Sequence, residues 1–568
     1  MAETDGATAS VEPLSTPSTD ATSVSATAKP PPETQESIWL RRSVIVSFWL
    51  VVVLLGLPVW WKTTAIYRAE LPLETMGAWA ESKVCQPAFP LKVAVEAPIP
   101  AQDAQHLLRD TQHSLDELND FSAHRLSLLL ADAPFVANAS QQIVTDGIAV
   151  DVSHDEDIAL SVRLVPVETG HTPRSLLQPY SPRLDVYYGP SQLPTAASTG
   201  SPLATYIAEE LHKLFGEEQA LLAHLLSKTP GPRAPVAKRL SSGIIAELEH
   251  RSTRALKYAP TYHLTFSLFT PINIPSDWDI ESALQRYMSP FLDSLTGIHN
   301  FTIDTQVQLY SGYTPTVRPE FDEQSKSWTL RKEDLSGFIN AAEWPLTPSI
   351  GAGPTVNFVL YVPDRSQSPL VVKETGGNSW LVPQWGGVVI LNPTEADEAA
   401  PAIMTREALA PAMHTFSTQL MSLLGLPQSP GCLPLRISTL VRVRAASLLF
   451  SASSTLGALA RLYNALPSIP IPDKVAKSVD LTTEHLQLAC DSLKEGRFHS
   501  ALEHARVAEA EAEKAFFERS MVGQVYFPDE HKVAVYLPLL GPVAVPLIMA
   551  ALKELQTTIR NFKARRSS

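Results

Sequence analysis

Two carboxylate pairs, Asp155-Glu-Asp157 and Asp277-Trp-Asp279, have the D-x-D spacing that can hold a divalent cation against a sugar-nucleotide diphosphate. A chain with 59 acidic residues produces such triplets by chance, and solvated turns account for both. Glu209 and His212 form an E-x-x-H, but a di-metal bundle needs a second such helix with further glutamates, and the sequence has no second copy. The three cysteines, Cys85, Cys432 and Cys490, lie far apart, which excludes a thiolate zinc site and allows at most one disulfide. Fifteen histidines are scattered without a local signature that would pair one of them with a thiol nucleophile. There is no phosphate-cradling P-loop, and Gly351-Ala-Gly353 lacks the third glycine of a dinucleotide fingerprint. The expectation is therefore no catalytic residue, no metal and no cofactor. Two glycan acceptors remain, Asn138-Ala-Ser140 and Asn300-Phe-Thr302, whereas Asn392-Pro-Thr394 is excluded by its proline.

The elements that would position these residues begin with two apolar runs. Ser43 to Trp61 contains 19 residues without a charge, enough to cross a hydrocarbon core of about 30 Å as a helix. Its length, the 42 residues before it and the bulky Trp60-Trp61 pair favour a retained anchor over a cleaved signal. Val533 to Leu552 is a second uncharged run, in which Pro538, Pro542 and Pro546 recur every four residues and so share one helix face. The run reads either as a kinked but ordinary anchor or as a helix whose proline face packs against partner helices. Arg41 and Arg42 precede the first run and five basic residues follow the second, so the positive-inside rule puts both termini in the cytosol. Arg41 and Arg42 are also candidates for contact with anionic lipid headgroups.

The expected organisation is a disordered cytosolic tail over 1–42, a transmembrane helix over 43–61, a lumenal domain over 62–532, a second transmembrane helix over 533–552 and a basic cytosolic tail over 553–568. Within 1–36, 23 residues are Ala, Ser, Thr or Pro, too little apolar surface to offset ordering entropy. Residues 62–532 hold 52 acidic against 37 basic side chains, and the whole chain carries −14, the wrong sign for a nucleic-acid partner. Strands are expected near residues 91–95, 158–165, 184–188, 263–269, 303–310, 355–362 and 387–391, with helices over 103–130, 203–226 and 280–295. Further helices over 405–424, 439–465, 472–494 and 500–521 form a helical lobe over about 400–525. The fold class is thus an α/β lumenal domain, a mixed sheet covered by helices with a helical C-terminal lobe, between two transmembrane helices.

Several stretches carry a resemblance to a known family. Gly56-Leu-Pro-Val-Trp-Trp-Lys-Thr-Thr-Ala-Ile-Tyr-Arg-Ala-Glu-Leu-Pro72 resembles the membrane-exit signature of the PIG-S family, subunits of the glycosylphosphatidylinositol (GPI) transamidase. Phe266-Ser-Leu-Phe269, Trp278-Asp-Ile-Glu281, Tyr287-Met-Ser-Pro-Phe291 and Asn300-Phe-Thr302 resemble its central region, continued by Asn357 to Pro363, Ser368-Pro369 and Trp385-Gly-Gly387. Ala515-Phe-Phe517 and Tyr526 to Pro538 resemble its end. The resemblance implies a non-catalytic subunit of an endoplasmic reticulum membrane complex that joins the new carboxyl end of a precursor to a preformed glycolipid. It further implies that the nucleophilic cysteine belongs to a protease-like partner, with other lumenal and membrane subunits alongside. The rival reading is a membrane-bound glycosyltransferase that would use Asp155 and Asp157 with a metal.

Overall fold

A computed structural model describes residues 34–56, 58–59, 62, 66–131, 142–145, 148–151, 158–167, 172–193, 201–228, 241–311, 318–335, 353–393, 402–467, 469–521 and 529–566. The chain divides into two units, one comprising residues 1–66 with 527–568 and the other Tyr67–Tyr526.

The first unit is built from two helices. Gln35–Val51 is α-helical and continues as a π turn over Val52–Gly56. Its stretch Glu36–Gly56 is long and apolar enough to cross a membrane, and none of it is buried in the protein. The run expected as the second span lies inside one helix, Asp529–Arg566, which continues through all three prolines. Among the described residues a second helix also passes the length and apolarity test, Leu433–Ala465, but 61% of its apolar window is buried inside the protein. It is a core helix of the second unit.

The second unit contains two five-stranded mixed sheets where the sequence suggested a single sheet. In the first the strand order is His124–Leu130, Phe89–Glu96, Leu160–Pro166, Arg183–Tyr188, Arg174–Leu177. In the second it is Asn300–Gln308, Thr261–Phe269, Thr355–Tyr361, Gly386–Ile390, Ser379–Val382. Numbered by chain order within each sheet, both run 2-1-3-5-4. In each, the first three neighbouring pairs are parallel and the last pair is antiparallel. The helices repeat as well. Ala101–Leu118 connects strands one and two of the first sheet, as the helical turns Ile280–Ala283, Leu284–Met288 and Ser289–Ser294 do in the second. A long helix follows the fifth strand each time, Pro202–Ser227 and Arg406–Leu423. The unit is a tandem pair of one α/β topology.

The central strands are buried on both faces, as parallel sheets covered by helices require; Thr261–Phe269 and Thr355–Tyr361 are buried at every position after the first. Phe266 and Phe358 stack at 5.2 Å between centroids, and Phe416 of the covering helix approaches them at 5.9 and 5.1 Å. The opposite face of the second sheet offers Phe269, Val359, Tyr361, Val388 and Ile390 to a separate cluster with Leu330, Leu370 and Val372. The last three come from a small three-stranded sheet, Glu320–Asp322, Ser327–Leu330 and Leu370–Val372, inserted in the second repeat. Gly386 (φ +155°) lies so close to the backbone of Asn357 that a Cβ would collide with it, and Gly387 leaves room for the Gln419 amide. Gln419 Nε2 donates to the carbonyls of Trp380 and Val388 at 3.1 and 3.3 Å. The Trp385-Gly-Gly387 motif is thus a packing device.

Beyond the sheets, Leu433–Ala465, Asp473–Glu495 and Phe498–Phe516 form the helical lobe. The lobe expected over about 400–525 also included Arg406–Leu423, which instead covers the second sheet. One expected helix is corrected. It ends at Leu118 rather than Leu130, and His124–Leu130 is a strand paired in parallel with Phe89–Glu96. The break is chemical: Asn119 Oδ1 accepts from the Phe121 N–H and its Nδ2 donates to the His124 carbonyl, both at 2.9 Å, an Asx turn that competes with helix continuation.

Candidate functional site

Among the described residues, those singled out in the sequence do not converge on one centre. In the two-helix unit, Arg41 and Arg42 share one carboxylate: Arg41 Nε and Nη2 lie 2.8 and 2.7 Å from Glu554 Oε1, and Arg42 Nε lies 3.2 Å from Oε2. Pro538, Pro542 and Pro546 are exposed, with Gly541 and Ala544 half-buried.

Asn300 opens an edge strand, its side chain exposed and its N–H donated to the Pro260 carbonyl at 2.8 Å. Asn138, Asp155 and Asp157 lie outside the described residues. Asp277 and Asp279 are exposed on either side of buried Trp278, and Asp277 Oδ1 accepts from the Trp278 N–H. Among the described residues no group of three or more His, Cys, Asp or Glu is placed to hold a metal ion. Glu209 is exposed on its helix and His212 half-buried. The expected site residues that are described are therefore dispersed over both units.

The cysteines divide by chemistry. Cys85 and Cys490 form a disulfide between residues 405 apart in sequence, with Cα atoms 6.1 Å apart. Cys432 is buried, donates its S–H to the Ser181 carbonyl at 3.3 Å, and has its thiol pushed up to about 11 by burial. A thiol at that value holds almost no thiolate near neutral pH, so it is a poor nucleophile.

The disulfide belongs to a larger clamp at the start of the second unit. Ala69 N–H donates to Ile471 O and Ile471 N–H to Tyr67 O, at 2.8 and 3.0 Å. Tyr67 donates its hydroxyl to Asp473 Oδ1 at 2.5 Å. The Arg68 guanidinium sits 4.0 Å over the Tyr463 ring and donates to the carbonyls of Tyr463 and Pro467 at 2.6 and 3.2 Å. The segment that follows the first apolar helix is thereby tied to the helical lobe.

Sequence reasoning missed a buried ion pair that joins the first repeat to that lobe. Glu218, on Pro202–Ser227, receives Arg442 Nε on Oε1 at 2.5 Å and Nη2 on Oε2 at 2.7 Å, with the Thr439 hydroxyl at 2.6 Å. His124 Nε2 lies 3.5 Å from Oε1, and all four side chains are buried. Burial pushes the Glu218 pKa up, but Arg442 and His124 outweigh it and hold the carboxyl well below its usual range. A signal was available. Glu218 falls in the buried stripe Leu211, Phe215, Leu222, and Arg442 in the stripe Leu435, Ala446, Leu449, so each helix carries one charge of opposite sign on its core face.

Several residues that carry the family resemblance are buried packing groups: Phe266, Trp278, Met288, Phe358 and Tyr361 lie in the core. The family described as phosphatidylinositol-glycan biosynthesis class S protein, PIG-S, matches residues 47–561. The chain is 28% identical over 553 residues to "GPI-anchor transamidase component PIGS" of Bos taurus, covering 91% of this chain and 95% of that one. It is 27% identical to the Homo sapiens protein of the same description, again over 91% and 95%. It is 26% identical to "GPI transamidase component PIG-S homolog" of Schizosaccharomyces pombe, over 93% and 86%.

Proposed function

From the premise that this chain belongs to the PIG-S family and is a component of the GPI transamidase, we propose that it is a non-catalytic subunit whose product is binding surface. It supports the attachment of preformed GPI anchors to the carboxyl end of precursor proteins, while a protease-like subunit supplies the nucleophile. The observation that carries this reading is the state of the thiols: two are joined in a disulfide and the third is buried with a raised pKa. Its partners are that catalytic subunit and the other lumenal and membrane subunits.

The disulfide also bears on location. Bridges persist in oxidising compartments, which supports placing residues 62–532 in the lumen of the endoplasmic reticulum, between membrane helices over 43–61 and 533–552. Both termini then lie in the cytosol, with Arg41 and Arg42 at the headgroup level. Asn300, exposed at a strand start, becomes a glycan acceptor, and Asn138 a second one.

Affinity purification of the tagged full chain in mild detergent tests the assembly, and glycosidase treatment of the same sample tests the side of the membrane. The expected result is co-purified transamidase subunits and a mass shift that shrinks in Asn300→Gln. Purification without those subunits would overturn the function. An unshifted wild-type band would argue against a lumenal domain.

A further inference from the structure

A cavity of about 580 Å³ opens where four helices of the second unit meet: Pro202–Ser227, Ser242–Arg254, Arg406–Leu423 and Leu433–Ala465. Its size is that of a small-ligand site, typically about 300–1,000 Å³. The ionic lining is unbalanced. His224, Lys228, Arg251, Arg254 and Arg444 face a single lining acid, Glu247. Arg251 is already matched, because its Nη1 lies 2.6 Å from Glu217 Oε1, a carboxylate that also accepts from the Gln428 and Ser429 N–H groups. Arg254 is half-buried and has no hydrogen-bond or ionic partner among the described residues.

Two buried groups on the same wall are also unsatisfied. Arg444 donates Nη2 to the Leu424 carbonyl at 2.8 Å, while its Nε is buried without a partner. Among the described residues no carboxylate acts on it; burial lowers its pKa, opposed by the Tyr262 and Tyr258 phenols. His224 is nine-tenths buried, and its Nε2 has no partner. Buried polar atoms left unpaired are costly, more so when charged, so this concentration in one cavity points to a ligand that would satisfy them. The rest of the wall is apolar: Leu248, Leu256 and Leu440 are buried side chains that border the same space.

We propose that this cavity binds an amphiphilic anion, a phosphate or carboxylate head carried on an apolar body. The head sits at Arg254 and Arg444, with His224 donating a further hydrogen bond, and the body fills the leucine wall. A bare inorganic ion would leave most of the 580 Å³ and the leucines unused. A neutral alcohol would leave the guanidinium groups uncompensated.

Titration calorimetry on the purified full chain in detergent at low ionic strength tests this, with n-butyl phosphate and pentanoate as the two anionic probes and n-butanol and inorganic phosphate as controls. At least one anionic probe is expected to bind saturably at one site, with both controls at least tenfold weaker. Arg254→Gln removes a half-buried cation, and Ser447→Glu places a carboxylate in the lining beside Arg444; each is expected to weaken the probe at least tenfold without lowering Tm. The preferred probe then separates a phosphate ligand from a carboxylate ligand. Absence of saturable binding, binding unchanged in both variants, or inorganic phosphate binding as tightly as the alkyl anion would overturn the proposal.

Discussion

At the scale of single residues, the Glu218–Arg442 pair dictates what substitution does. A buried charge stripped of its partner typically costs about 3–5 kcal/mol, whereas replacing both members by apolar residues of similar volume is often neutral or better. Arg442→Met is therefore expected to destabilise the chain by about that amount, and Glu218→Leu combined with Arg442→Met to recover most of it. Denaturant unfolding of the three variants checks this; a double variant as unstable as the single one would contradict the account. His299 gives a prediction in pH. It is fully buried, bonded through Nδ1 to the Ala259 carbonyl at 2.8 Å, and enclosed by Tyr258 and Tyr262 with centroids at 5.2 and 5.0 Å. Burial lowers its pKa from 6.5 to about 3. The folded state thus refuses a proton that the unfolded state accepts below about 6.5, so stability falls as pH drops from 6.5 toward 3, by at most about 1.4 kcal/mol per pH unit. Unfolding measured at pH 6.5 and 4.5 is expected to show a smaller acid loss in His299→Phe than in wild type; equal losses would show that His299 does not titrate as described.

Elements were legible in proportion to how far one face decides them. Pro202–Ser227 was readable almost to the residue because its apolar positions repeat with helical spacing and Ser201 caps it, accepting from the Ala204 N–H at 3.3 Å. His124–Leu130 was not, because its leucines fit the apolar face of the preceding helix as well as an edge strand, and the Asn119 side chain decides between them. The helix Ser242–Arg254 was missed for a similar reason: among its residues only Leu248 is buried, so it has almost no apolar stripe to read. The exposed proline face of Asp529–Arg566 is legible in sequence, but what covers it is not. Leucine at Pro538, Pro542 and Pro546 together is expected to weaken co-purification of the other subunits several-fold while leaving the second unit folded, as read by the co-purified subunit ratio and by unchanged protease resistance. Undiminished co-purification would reduce this helix to an anchor.

On the scale of the whole molecule, the duplicated 2-1-3-5-4 topology could not be read from sequence. The two repeats share strand order and helix placement, but insertions differ: the hairpin of strands Gln142–Thr145 and Ile148–Asp151 interrupts the first, and the small three-stranded sheet the second. Spacing between corresponding elements therefore drifts and hides the period. Equally hidden was the choice of Cys85 and Cys490 for the single possible bridge, because the clamp around Tyr67, Arg68 and Ile471 that brings that segment to the lobe is a tertiary feature. Closing a loop of this length stabilises a fold by about 6 kcal/mol in the chain-entropy view, of which bridges typically deliver about 2–4 kcal/mol. Cys490→Ser is accordingly expected to lower the Tm of the purified chain by several degrees without exposing a catalytic defect beyond reduced abundance; an unchanged Tm would contradict the clamp.

The candidate site was legible mainly as dispersal: no signature nominated a reacting group, and the described carboxylate pair and the cysteines are exposed, bridged or buried. On the proposed reading, this chain lends surface, and no reacting atom, to the transamidase. Cys432 is the one cysteine outside the disulfide. The most direct measurement is the rate of GPI attachment in cells that lack the native subunit and express Cys432→Ser, normalised to assembled complex. Attachment within twofold of wild type is the predicted result. A fully assembled Cys432→Ser complex with attachment abolished would contradict the account.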